Sequence, residues 1–211
     1  MTVIIDGTAG VTFPAGGVGN TASAVVGLTD TQTLTNKTLT SPTISGAVVS
    51  SMASSVITSG TSVASTSGTS IDFTSIPSWV KRITVNFQGV SINGSVGMRI
   101  QIGTASGIES TGYSGQELYT GTGTGTSAVT TGFSGSSGGG TSVVRNGSCV
   151  ITLLNSSAYL WVATGISLQA DGYNRIFGAS KTLIGTLDRV RINANNGTDA
   201  FTAGSINILY E

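Results

Sequence analysis

Histidine is absent from the 211 residues and cysteine occurs once, at Cys149. Without histidine there is no ordinary base to take a proton from a serine, so the G-x-S-x-G match at Gly135-Ser136-Ser137-Gly138-Gly139 reads as a flexible loop and not as a nucleophile elbow. A single cysteine closes no internal disulfide, and inside "SCVITLL" it reads as a small core residue. Zinc or iron ligation is excluded for the same lack of ligands, and the nine acids are too scattered for a calcium loop; no cofactor is expected. Charge is scarce as well, at 9% of residues, and balanced at nine basic against nine acidic. No net field draws in nucleic acid or an anionic membrane. No apolar run reaches the ~18 residues of a membrane span, and "MTVIIDGTAG" lacks the basic start and apolar stretch of a secretory leader. The expected setting is therefore synthesis in a cytoplasm without membrane insertion.

Glycine contributes 31 residues, and Thr, Ser, Val and Ile dominate the remainder, a mixture that favours strands joined by tight turns. Residues 1–70 carry only Asp6, Asp30 and Lys37, so the chain divides into an extended arm over 1–60 and a β domain over 61–211. In the second part, 80–92, 98–102, 149–154, 159–168, 187–194 and 205–210 read as strands, the first with Ile83, Val85 and Phe87 alternating against Arg82, Thr84 and Asn86. Asn93-Gly94, Asn146-Gly147 and Asn196-Gly197 read as turns, the first of them closing a hairpin. The expected fold is all-β: an antiparallel β-sandwich, jelly-roll-like, behind a trimerising arm.

Residues 103–148 are too rich in glycine for continuous strands and read as long loops around one or two twisted strands. Tyr113 and Tyr119 within them, and Tyr173 in "ADGYNR", are candidate contacts for a host glycan or protein, since a ring projecting from a glycine loop can cover the apolar face of a sugar. The competing reading makes these tyrosines caps on the sandwich core. Trp79 and Trp161 have apolar neighbours and read as core. Glu109 with Glu117, or Asp171 with Asp188, are acid pairs that a glycosidase could use, and solvated loop and strand-edge acids are the plainer reading.

The arm contains one regular feature. In "TLTNKTLTSPTISGAVV", residues 33–49, Leu34, Leu39, Ile44 and Val49 recur every fifth residue. A flat strand would send positions i and i+5 to opposite faces, and four repeats are too few for a self-sufficient solenoid. The beat reads as an interface stripe, with three chains wound about one axis so that each turns these residues toward its partners.

"TVIIDGTAGVTFP" (2–14) and "TLTNKTLTSPTISG" (33–46) resemble segments found repeatedly in fibre and decoration proteins of tailed bacteriophages. "IDFTSIPSWVKRITVNFQGVSINGS" (71–95) and "LIGTLDRVRINANNGTDAFTAGSINILYE" (183–211) look like the globular β domain of such virion proteins, so the resemblance covers about half the chain. It implies a homotrimeric, β-rich projection on the virion, without catalytic activity, attached through its arm to capsid or tail proteins. The implied use is a tail fibre that adheres to the host surface. A head fibre or capsid decoration protein is the alternative, and a short polysaccharide depolymerase the remote one.

Overall fold

A computed structural model describes residues 4–6, 10–12, 57–133 and 143–211. Two compact units divide the chain at residue 50. In the first, β1 (Ile4–Asp6) pairs antiparallel with β2 (Gly10–Thr12). The stripe Leu34, Leu39, Ile44 and Val49 lies outside the described residues.

The second unit begins at Ser51, and its described residues contain thirteen strands. They are β3 (Thr58–Ser59), β4 (Val63–Ala64), β5 (Ser70–Phe73), β6 (Arg82–Ile92), β7 (Met98–Thr104), β8 (Gly107–Ile108) and β9 (Tyr113–Thr120). After these come β10 (Thr124–Val129), β11 (Arg145–Asn155), β12 (Leu160–Gln169), β13 (Asn174–Thr182), β14 (Arg189–Ala194) and β15 (Phe201–Tyr210). The chain is all-β, and every strand pairing among the described residues is antiparallel. A nine-stranded sheet runs β10-β9-β13-β12-β11-β6-β15-β3, with β4 also on β15; a four-stranded sheet runs β5-β14-β7-β8. Because β3 already pairs with β15, the β domain starts before residue 61.

The two sheets form a sandwich around one core. Ile83, Val85, Cys149, Ile151, Ile206 and Ile208 from the large sheet meet Ile71, Ile100, Ile102, Val190 and Ile192 from the small one. Period-two alternation produces this packing directly, since only every second side chain of β6 or β14 faces inward. Cys149 is fully buried, as its sequence context suggests, and burial pushes its thiol pKa up.

Asn196-Gly197 forms the turn that the sequence suggests, and the other two Asn-Gly pairs depart from expectation. Asn93-Gly94 closes no hairpin, because β6 and β7 belong to different sheets. Asn196-Gly197 crosses between sheets too, with Gly197 at φ 72° and the Asn196 side chain accepting from Thr198 N and Asp199 N. The Asn93 side chain accepts from Ala200 N, so the two crossings are tied together at one end. Asn146-Gly147 lies inside β11 at an irregularity in its pairing with β6, where Asn146 Oδ1 accepts from Gly89 N at 2.8 Å. Gly89 and Gly204, both at positive φ, face each other across β6 and β15; a Cβ on Gly204 would lie 2.5 Å from the Gly89 backbone. Only glycine lets these two bulged strands approach so closely.

Residues 103–148 hold more strand than their glycine content suggests: β9 and β10 form a hairpin over a turn of three residues, 121–123. β13 is a nine-residue strand that alternation in sequence does not reveal.

Candidate functional site

The two faces of the large sheet exchange character toward its β9–β13 end. Residues 114, 116, 118 and 120 of β9 share the outer face with 174, 176, 178 and 180 of β13 and with 162, 164, 166 and 168 of β12, because the register pairs them in rows. One such row runs Thr126, Leu118, Ile176, Ile166, Ser148, Asn86. Leu118, Ile176 and Ile166 are exposed in it, at 43%, 57% and 42%, and Leu168 is exposed in the adjacent row. No outward position of β9, β10, β11, β12 or β13 carries a charge. Neighbouring apolar side chains on a surface with no ionised group form a patch of the kind that marks association.

Behind this face the same strands turn charges inward. Glu117 is fully buried and accepts from Arg175 Nη1 at 2.5 Å. Lys181 is 6% exposed and donates to Glu109 Oε2 at 2.5 Å and to the Thr182 carbonyl at 2.7 Å. Arg145, 1% exposed, donates to the carbonyls of Val143 and Val96 at 2.9 and 3.2 Å. Burial and then the neighbouring Arg175 guanidinium lower the Arg145 pKa, while Asp171 opposes them. The Arg145 Nε and the Gln169 Oε1 are buried without a hydrogen-bond partner among the described residues, beside a void of about 10 Å³. That is about the room of one water, which could accept from the first and donate to the second; it is no substrate cleft.

The acids weighed for glycoside chemistry are engaged one by one. Glu109 holds Lys181 and Ile184 N, Glu117 holds Arg175, Asp188 binds Arg189 at 2.9 Å, and the exposed Asp171 Oδ1 accepts from Tyr173 N at 3.3 Å. Among the described residues no three acidic or cysteine side chains gather to hold a metal.

The three tyrosines separate. Tyr113 does not project from a loop: it is 4% exposed, edge-on to Phe133 at 5.1 Å, and its hydroxyl accepts from Ile102 N at 2.8 Å. It spans from β9 in the large sheet to β7 in the small one, taking the place of a missing strand partner, and burial raises its pKa. A ring so enclosed has no face to offer a ligand. Tyr119 and Tyr173 come together, with centroids 6.3 Å apart; Arg175 lies 5.4 Å over the Tyr119 ring, and the Tyr173 hydroxyl is 2.5 Å from Thr122 Oγ1. Both rings are half-buried, at the end of the sheet formed by the β9–β10 and β12–β13 turns.

The tryptophans also part company. Trp161 is core at 3% exposure, as expected. Trp79 is 54% exposed and tilts against Tyr210 at 5.9 Å, because Ile76 and Val80 on either side of it take the inward places. The outward row on β9, β13 and β12 went unnoticed in the sequence, although "ELY", "RIF" and "ISL" each place an aliphatic at its positions. The chain matches no protein-family profile, no curated protein and no solved structure.

Proposed function

We propose that the chain is a structural virion protein of a tailed bacteriophage, a homotrimeric fibre that projects from the particle and adheres to the host surface. The observation that carries this reading is the exposed, charge-free row of Leu118, Ile176 and Ile166 lying over a buried ionic layer. A solitary sandwich is better served by the reverse arrangement, with aliphatics inside and charges in water. Covering the row with another copy removes apolar surface at roughly 25 cal/mol per Å². The five-residue apolar beat of the arm sequence supports association a second time. The resemblance of 2–14, 33–46, 71–95 and 183–211 to segments of phage virion proteins supports a virion as the setting. A structural role also suits acids that are each held by a cation or a backbone group.

Native mass spectrometry of the purified chain tests the reading, and three copies are the expected mass. Ile176→Asp with Ile166→Asp should weaken the assembly while far-UV circular dichroism keeps its β signature. Leu39→Asp should weaken it through the arm. A wild-type chain that stays monomeric at all concentrations overturns the reading. Labelled antibody on purified particles then distinguishes a tail position from the head.

A further inference from the structure

At the end of the sandwich opposite Tyr119 and Tyr173, three connections converge: β5–β6, β11–β12 and β13–β14. They line a solvent-open depression of about 160 Å³. Ser78, Lys81, Ser156, Tyr159, Trp161 and Thr186 line it, with Leu153 and Leu187 among its apolar wall. It is smaller than the ~300–1,000 Å³ of pockets for drug-sized ligands, so its occupant is about the size of one sugar ring.

The polar groups of the cavity are uncommitted. Ser78, Ser156, Thr186 and Lys81 are exposed, and their side chains make no hydrogen bond or ion pair with a described residue; the Trp161 indole N–H is buried without an acceptor among the described residues. Among the described residues no acidic side chain lines the cavity. Glu211, which accepts through its backbone from Lys81 N, gives its carboxylate to Arg82 instead. An ammonium, three hydroxyls and an aromatic wall call for an occupant with one negative charge, several hydroxyls and a compact ring.

Tyr159 adds an observation of a different kind. It ends the β11–β12 turn at φ 51°, a left-handed conformation that glycine adopts freely and tyrosine does not. The Asn155 side chain fastens the turn through Ser157 N and Ala158 N, and the Tyr159 carbonyl accepts from Leu183 N at 3.1 Å. The strain is thus held in place with an exposed ring at the rim of the cavity. A backbone demand alone would be met better by glycine; an aromatic wall for a ligand requires the ring.

We propose that this cavity binds a single acidic sugar ring, a hexuronate, with Lys81 facing its carboxylate, the Ser78, Ser156 and Thr186 hydroxyls serving its hydroxyls, and Tyr159 covering a ring face. The assignment deepens the adhesive reading above and rests on it only for its biological setting. The test uses the full chain in solution with methyl glucuronide, methyl glucoside and acetate, followed by saturation-transfer NMR. Methyl glucuronide should bind saturably in the millimolar range, and methyl glucoside about tenfold more weakly, the usual scale for one charge-assisted hydrogen bond. Acetate should not compete in that range. Lys81→Ala should reduce glucuronide affinity by about tenfold, to that of the neutral sugar, since the backbone bonds at residue 81 survive. Tyr159→Gly should remove binding of both sugars without lowering the melting temperature, because it relieves the positive φ. Equal binding of the two sugars, competition by acetate, unchanged affinity in either variant, or no saturable binding overturns the assignment. Subunit mass is measured separately, so a monomer that binds glucuronide fails the fibre reading alone, and a trimer that ignores it fails the cavity alone.

Discussion

Glu117 and Arg175 meet diagonally across β9 and β13 at 2.5 Å, with side chains 0% and 5% exposed. Each charge is tolerable inside the sandwich because the other is there. Glu117→Gln should therefore destabilise the fold by about 3 kcal/mol, the low end for removing one member of a buried pair. Glu117→Leu combined with Arg175→Met should recover most of that loss. Urea unfolding at one fixed protein concentration measures both; equal damage from the single and double variants would refute the coupling.

Tyr113→Phe should cost about 1–3 kcal/mol, since it leaves the buried Ile102 N–H without its acceptor while the ring packing on Phe133 is kept. Hydrogen exchange at Ile102 should quicken before exchange across β6 does. Exposed-tyrosine behaviour, such as rapid iodination of Tyr113 in the native chain, is not expected.

Cys149 should resist iodoacetamide in the native protein from neutral to mildly alkaline pH. Burial raises the thiol pKa, so the reactive thiolate is withheld until pH climbs well above its usual range or the sandwich opens. Labelling should become rapid and complete in denaturant, which mass spectrometry reads directly.

Gly165→Ala should destabilise by about 1–3 kcal/mol, because a Cβ there would lie 2.1 Å from Cζ of the Phe177 ring across the strand pair. Phe177→Leu in the same chain should relieve part of the clash. Thermal melts of the two single variants and the double variant decide it: an additive double would mean the ring does not need that glycine.

The sequence yields strands β6, β7, β11, β12, β14 and β15 because their inward positions are mostly Ile, Val, Leu, Phe or Cys, as Ile83, Val85 and Cys149 illustrate. β13 escapes notice because Arg175 and Lys181 share the inward side with Phe177 while Ile176 faces out, which erases the alternation. The long stems of Arg and Lys can occupy such positions only if a partner waits at the tip, and Glu117 and Glu109 lie 58 and 72 residues away in the chain. Composition near Tyr113, Tyr119 and Tyr173 suggested three alike rings; Tyr113 and Tyr119 share the inward side of β9, and only their places along it differ, Tyr113 reaching the β7 backbone while Tyr119 lies beside the β9–β10 turn. The cavity at the opposite end is made by three connections distant in sequence, so no local pattern announces it.

The inverted end of the large sheet also bears on how the chain selects its own pairing. Turning β9 and β13 over by one residue would bury Leu118 and Ile176 and release Glu117 and Arg175 to water, and it would also expose the buried Tyr113 and Phe177 rings. The observed facing is fixed by what that alternative forfeits: the ionic contacts at Arg175 and Lys181, the Tyr113 hydroxyl on β7, and the Phe177 ring over Gly165. Charge here works as a key that admits one alignment of strands, and the aliphatics left outside are what that alignment leaves for a neighbour.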